Sequence, residues 1–202
     1  MLPDFDEIVR STYGCWALAL NRPRAIESFD RSNAGVVRSF VAAMFVAPTL
    51  LVDDLFQSHF TFSVGVFLDW IGFLFLYCNI LLLFAVFCST TARWFGAFER
   101  VTDFIVVSNW LGLPTGYITF IIGLFISAET DIAPVAASLN VIVSLGVLVV
   151  LCLWAARLLK FSALGGIVFV LSNMLSAVFV MVLFSMVVEN SSLIGKVLSF
   201  IV

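Results

Sequence analysis

Charged side chains and histidine are scarce in this sequence. Only 11% of the 202 residues are Asp, Glu, Lys or Arg, and there is one histidine. A soluble domain carries about 25% charged residues, so this chain has too few polar groups to cover a water-soluble globule. The net charge is −3 and no basic stretch is present. This composition excludes a nucleic-acid-binding surface and predicts no basic tether for anionic lipid.

Enzyme motifs are also lacking. The sequence contains no G-x-S-x-G, no Walker loop and no H-E-x-x-H motif. His59 stands alone in a short polar loop, where solvation is its simplest role. The four cysteines form no C-x-x-C pair and are interpreted as small apolar packing residues. We therefore predict no enzymatic activity, no catalytic residue, no metal ligand and no bound cofactor.

Long apolar runs, by contrast, are abundant, because 62% of the residues are hydrophobic. A helix needs about 20 residues to cross about 30 Å of hydrocarbon. Five runs reach this length, at residues 34–52, 62–88, 104–127, 133–159 and 163–188. The sequence therefore predicts an all-α fold, a polytopic transmembrane bundle of five spans plus an N-terminal amphipathic interfacial helix. The expected parts are a cytoplasmic region (1–33), a five-span domain (34–188) and an outer tail (189–202).

The basic residues predict the orientation of the spans. Nine of the ten Lys and Arg residues are expected on one side of the membrane: before the first run and near its start, on the loop after the second run, and around the turn at the end of the fourth run. Lys196 is alone on the opposite side, whose loops carry acidic residues. Loops rich in Lys and Arg stay in the cytoplasm. We expect a multi-pass protein of the bacterial inner membrane, with its N-terminus cytoplasmic and its C-terminus outside.

Two stretches on the cytoplasmic side have a helical apolar stripe. In residues 4–20 the stripe consists of Phe5, Ile8, Val9, Thr12 and Trp16. In and just past residues 91–103 it consists of Trp94, Phe98, Val101 and Ile105. Such stripes are typical of helices that lie in the membrane plane. Phe5, Trp16, Trp94 and Phe98 are the candidate interfacial contacts, which either pack on the spans or dock a partner.

One ionisable residue, Asp69, lies well inside a predicted span. A charge at depth normally faces protein or water, which makes Asp69 a candidate functional residue. Tyr117 and Asn140 are expected at a compatible depth, so Asp69, Tyr117 and Asn140 form a candidate intramembrane polar cluster. The alternative role for Asp69 is a hydrogen bond between helices.

Capping, proline and glycine residues predict two local features of the spans. Ser32 or Asn33 is placed to cap the first span. Pro114 is expected to kink the third span, with Gly112 and Gly116 allowing a neighbouring helix to approach closely.

Three stretches resemble the Yip-type family of integral membrane proteins. They are Thr91-Ala-Arg-Trp-Phe-Gly-Ala-Phe-Glu-Arg100, Asn109-Trp-Leu-Gly-Leu-Pro-Thr-Gly-Tyr117 and Trp154-Ala-Ala-Arg-Leu-Leu-Lys-Phe-Ser-Ala-Leu164. The resemblance is to a bacterial-type relative and implies five spans, a cytoplasmic N-terminal region and a short turn between the last two spans. Eukaryotic members act with Rab GTPases through an Asp-Leu-Tyr-Gly-Pro motif. The sequence Asp54-Leu-Phe-Gln57 differs from that motif, so the resemblance does not extend to GTPase binding.

The function expected from these patterns is that of a non-enzymatic integral membrane scaffold or accessory protein. It would act through helix packing and its cytoplasmic interfacial helices. One alternative is a small transporter or channel that uses Asp69, and another is a pigment- or quinone-associated subunit of an energy-transducing complex. The expected partners are membrane lipid and either other membrane proteins or further copies of the chain, with no nucleic acid.

Overall fold

The structure, a computed structural model, describes residues 2–22, 24–49, 64–127 and 131–176, together with residues 178, 179 and 182. Every regular element in these residues is helical. The α-helices are α1 (Phe5–Ala19), α2 (Asn33–Met44), α3 (Val64–Trp94), α4 (Val101–Ser127), α5 (Ala133–Leu158) and α6 (Ala163–Ser176). Short 3-10 turns at Ala25–Ser28 and Phe98–Arg100 precede α2 and α4.

Among the residues that the structure describes, three helical segments are long and apolar enough to cross a membrane: Tyr77–Trp94, Phe98–Ser127 and Ala133–Leu158. Their outer surfaces are apolar as well. On α5, for example, Val135, Ile142 and Val149 are all exposed. Exposure of so much apolar surface to water is unfavourable, so these helices identify the chain as a membrane protein.

The first and fifth predicted spans are described only in part. Helix α2 has 12 residues and would cover about 18 Å. The chain turns at Phe45 and Val46 and is helical again at residues 47–49, after which residues 50–63 lie outside the description. Helix α6 is described as continuous only to Ser176. The count of five spans therefore stays a prediction.

Helix α4 is central to the fold, since it contacts α1, α2, α3 and α5. At Gly116 it lies so close to the turn after α2 that an added Cβ would be 2.5 Å from Cγ1 of Val46. This is the close approach expected there. The same expectation for Gly112 was wrong, because nothing lies within 4 Å of its added Cβ. Helix α4 runs through Pro114 without interruption.

Helices α5 and α6 form a close pair. An added Cβ on Gly166 would lie 2.5 Å from the carbonyl oxygen of Cys152. The turn between the two helices is tight, with Lys160 in the left-handed region at φ 57° and the Phe161 amide donating to Ala156 O at 2.8 Å. Phe169 packs edge-on against Phe104 of α4, with 5.2 Å between ring centroids.

The stretch from 91 to 103 does not form the in-plane helix that its stripe predicts. Helix α3 continues to Trp94, and the chain reverses at Gly96, where φ is 69°. Trp94 and Phe98 are exposed, whereas Val101 is buried in the first turn of α4. The apolar residues have helical spacing because the stretch contains the end of α3 and the start of α4. The two helices are separated at Gly96, whose positive φ is a conformation that glycine adopts readily.

Candidate functional site

Helix α1 is a regular helix within the predicted range of 4–20. Its first turn is capped by Asp4, whose carboxylate accepts a hydrogen bond from the Glu7 amide at 2.7 Å. Asp6 and Glu7 follow in the first turn, where the helix dipole favours negative charge. The local sequence therefore accounts for the start of α1 without help from the bundle.

The inward side of α1 carries small and polar residues. Glu7, Ser11, Gly14 and Cys15 are all buried. A Cβ on Gly14 would lie 2.7 Å from Cβ of Ser28, so glycine allows α1 to pack directly on the following 3-10 turn. Burial raises the pKa of the Cys15 thiol to about 12.

A buried ion pair joins α1 to α2. The Arg38 guanidinium donates from Nε to Oε2 of Glu7 at 2.6 Å, and from Nη2 to Oδ2 of Asp30. We call Glu7, Asp30 and Arg38 the Arg38 cluster. The Glu7 side chain is only 5% exposed, so this pair forms away from solvent. A charge buried in this way depends on its partner.

Asp30 is positioned by the turn before α2. The Ser32 amide donates to Oδ1 of Asp30 at 2.9 Å, and the Ser32 hydroxyl caps α2 by accepting from the Gly35 amide at 3.2 Å. The hydrogen bonds from Ser32, followed by the nearby Arg38 charge, lower the pKa of Asp30. Because the folded pKa is the lower one, this contribution to stability is present above the unfolded pKa and is lost as pH falls through the folded value. Ser32, one of the two predicted caps, is therefore the residue that caps α2.

Two further polar contacts fix α2 and its approach segment against α4. Asn109 donates from Nδ2 to the Ser39 hydroxyl at 3.1 Å, and both residues are buried. Arg31 pairs with Asp103 at 2.9 Å in a more exposed position. Together with the Arg38 cluster, these bonds connect α1, α2 and α4.

The C-terminal end of α1 is held by α5. The Trp154 indole donates from Nε1 to the Leu18 carbonyl at 3.2 Å, and both residues are buried. The Arg157 guanidinium lies over the Trp154 ring, 5.1 Å from its centroid. Helix α1 is therefore attached at its first half through Glu7 and at its last turn through Leu18.

The outward side of α1 is apolar. Phe5, Val9, Tyr13, Trp16 and Leu20 are exposed, Phe5 at 77% and Trp16 at 64%. Their spacing of three or four residues places them on one face, which we call the apolar strip. Sequence reasoning found Phe5, Val9 and Trp16 but missed Tyr13 and Leu20. It also placed Ile8 on this face, whereas the structure packs Ile8 partly against the core.

Helix α1 is apolar on its outward side as well as at Cys15, Ala17 and Leu18 of its inward side, unlike a helix on a water-soluble protein. Glu7 and Ser11 face the bundle, and large apolar side chains face away from it. A helix on a soluble protein turns its apolar face to the core. The arrangement indicates that the medium or partner outside α1 is itself apolar.

An open groove of about 620 Å³ runs between α1, α4 and α5. Trp16 and Ala19 line it from α1, Pro114 and Ile118 from α4, and Val150 from α5. A smaller space of about 270 Å³, lined in part by Gly112 and Gly116, lies between α4 and α5. The larger volume is within the range of about 300–1,000 Å³ that small ligands occupy.

The structure describes the side chains of two residues of the predicted polar cluster, Tyr117 and Asn140. Tyr117 donates its hydroxyl to the Phe45 carbonyl at 3.1 Å, just after α2. Oδ1 of Asn140 on α5 is buried and accepts no hydrogen bond from the described residues. Asp69 lies on α3, but its side chain is outside the described part of the structure. The cluster therefore stays a prediction.

Comparison with known proteins gives no family to which these features can be assigned. No family model, curated protein or solved structure matches this chain.

Proposed function

We propose that this chain is a non-enzymatic integral membrane scaffold that holds α1 on one end of its bundle as an interfacial platform. The observation that carries the proposal is the exposed apolar strip of α1, on a helix that is held to the bundle by Glu7 buried against Arg38. Contiguous exposed apolar surface is typical of membrane and protein contact sites. The platform would contact lipid at the membrane interface and a partner membrane protein.

The attachment of α1 supports a structural role. A helix that only floated in the interface would need no buried ion pair and no indole bond to the bundle. Here the Glu7–Arg38 pair and the Trp154–Leu18 bond fix both the position and the rotation of α1. The apolar strip is therefore presented at a constant angle, as a docking platform requires.

The fuller form of the proposal has five spans, a cytoplasmic N-terminus and a location in the bacterial inner membrane. Its support is the nine-to-one partition of basic residues. Topology reporters fused after Lys160 and after Asp54 would report opposite sides of the membrane, and the same side for both would contradict it. The layout of residues 91–117 and 154–164 is the basis for proposing a bacterial-type relative of the Yip-type family.

Purification in a gentle detergent, followed by mass spectrometry, tests the scaffold role. We expect a membrane protein to co-purify with the full chain and to be lost when Phe5→Ala and Trp16→Ala are combined. The matched control is Phe75→Ala, because Phe75 on α3 is 71% exposed and Phe5 is 77% exposed. Equal recovery of the same protein from all three samples would show that α1 is not the contact surface.

Asp69→Asn separates the scaffold from the transporter alternative. The substitution keeps the shape of the side chain, and an interhelical polar contact in a membrane contributes only about 0.6 kcal/mol on average. We therefore expect normal expression, nearly unchanged melting and no change in proton or ion flux across proteoliposomes. A flux present in the natural chain and absent in this variant would contradict the scaffold role.

A further inference from the structure

The groove beside α1 has a lining suited to a hydrocarbon chain. Its wall from α4 includes Leu111 and Ile118, and its wall from α5 includes Val147 and Val150. Trp16 of α1 forms part of its edge and is itself 64% exposed. A ligand that fills this groove must therefore be apolar over most of its length.

A cationic side chain, Arg157, lies on the face of α5 that lines the groove, beyond one end of it. Gly146, Val150, Leu153 and Arg157 are spaced by four, three and four residues, so they share one face of α5. Gly146 and Val150 line the groove. Arg157 is seven residues beyond Val150, or about 10 Å along the helix. A molecule with a long apolar part and a charged end would span this distance.

Arg157 is held by an aromatic ring, and no acid of the described residues is paired with it. Its guanidinium stacks on Trp154, whose indole is bonded to Leu18. Within the residues that the structure describes, no carboxylate forms an ion pair with Arg157. Its N–H donors are thus available to an anion, and a stacked guanidinium is well suited to bind a phosphate.

A second cation is located at the same end of α1. The Arg22 amide donates to the Ala17 carbonyl at 2.9 Å, which places Arg22 next to the turn that Trp154 contacts through Leu18. The Arg22 side chain donates to the Tyr13 hydroxyl at 3.4 Å on the apolar strip. Two arginines therefore flank the end of α1, although they are 135 residues apart in the sequence.

We propose that the groove and these two arginines form a binding site for one anionic phospholipid of the surrounding bilayer. One acyl chain lies in the groove between α1, α4 and α5, and the phosphate binds Arg157, with Arg22 as the second cation. The inference goes beyond the scaffold role, because lipid binding here requires docked α1 but no protein partner. The apolar lining accounts for the acyl chain. Arg157 and Arg22, which form no ion pair with the described residues, account for the anionic headgroup.

Native mass spectrometry of the detergent-purified full chain tests the site. The probes are phosphatidylglycerol and phosphatidylcholine of the same acyl composition, titrated separately. We expect one phosphatidylglycerol to be retained about tenfold more strongly than phosphatidylcholine, because both lipids carry a phosphate but the choline cation cancels the negative charge that the arginines attract. Arg157→Gln should reduce that preference severalfold, since it removes the cation that binds the phosphate. Gly146→Phe should reduce retention of both lipids by filling the groove from an open position.

Two matched variants control these changes. Arg93→Gln removes another arginine that stacks on an aromatic ring, that of Phe98 at 4.3 Å, but lies away from the groove. Gly123→Phe adds the same side chain at another open position on α4 that does not line the groove. Both should retain lipid as the natural chain does, and all four variants should keep the melting temperature of the natural chain.

Equal retention of the two lipids by the natural chain would overturn the proposal. Equal changes in lipid retention for Arg157→Gln and Arg93→Gln would also overturn it. The same holds if Gly146→Phe leaves lipid retention unchanged and instead displaces a second copy of the chain or another small molecule. The scaffold role would stand in each case, because it is tested through the apolar strip.

Discussion

Replacing Arg38 with methionine is expected to release α1 from the bundle. The change leaves the Glu7 carboxylate, whose side chain is 5% exposed, without its cation. A carboxylate left in such a place without its cation is destabilising. The carboxylate regains a partner only where water reaches it, and that requires α1 to separate from α2. The half of α1 that contains Glu7, Ser11 and Cys15 should therefore become accessible.

The Cys15 thiol reports this separation. Cys15 is 3% exposed, and its burial raises its pKa to about 12. Because the thiolate is the reactive form, Cys15 of the natural chain should react slowly with a maleimide at neutral pH. Undocking returns its pKa toward the ordinary range of a thiol, so labelling in Arg38→Met should rise by about tenfold or more. Peptide mapping by mass spectrometry distinguishes Cys15 from the other three cysteines.

Arg38 pairs with two acids, whereas Glu7 pairs with Arg38 alone, and this difference provides the control. Glu7→Gln removes the buried charge and leaves Arg38 with Asp30, so Cys15 labelling should change little. Combining Glu7→Gln with Arg38→Met should label less than Arg38→Met alone, since no buried carboxylate remains. Labelling of Arg38→Met at the level of the natural chain would show that the cluster does not hold α1.

Gly166→Ala is expected to loosen α6 from α5. The added methyl would lie 2.5 Å from the carbonyl oxygen of Cys152 and 2.8 Å from Cβ of Ala156. A backbone carbonyl within a helix cannot move aside, so α6 itself must shift and disturb the packing of Phe169 on Phe104. Overpacking of this kind costs about 1–3 kcal/mol.

Thermal unfolding in detergent measures the loss. For a chain of this size the penalty corresponds to a fall in Tm of about 2–12 °C. Gly146→Ala is the matched control on the partner helix, because nothing lies within 4 Å of its added Cβ. Its Tm should stay unchanged. Equal losses from the two variants would contradict the close α5–α6 contact.

Features that depend on neighbouring residues were predictable from the sequence. The range of α1, the cap at Ser32 and the apolar helices of the bundle follow from short polar residues and long hydrophobic runs. The turn at Gly96 was missed because a helical spacing continues across it. The glycine that follows Trp94 and Phe95 was the available signal for a break.

The contacts that build the site were not predictable, because they join residues far apart in the chain. Glu7 and Arg38 are 31 residues apart, and Leu18 and Trp154 are 136 apart. Gly112 and Gly116 look equivalent in the sequence, yet of the two only Gly116 lies close to another segment, the turn after α2. Likewise, no basic stretch in the sequence suggests a lipid site, since Arg22 and Arg157 come to the same end of α1 only through folding.

The central claim is that α1 is fixed with its apolar strip in the membrane interface. Spin labels placed singly at Phe5, Trp16, Asp6 and Arg10, in a chain without its native cysteines, test it in liposomes. All four positions are exposed in the structure, so only the surroundings of α1 differ between them. Labels at Phe5 and Trp16 should be more accessible to oxygen, which concentrates in the bilayer. Labels at Asp6 and Arg10 should be more accessible to a water-soluble nickel chelate. Equal access of the nickel chelate to all four positions would contradict the claim.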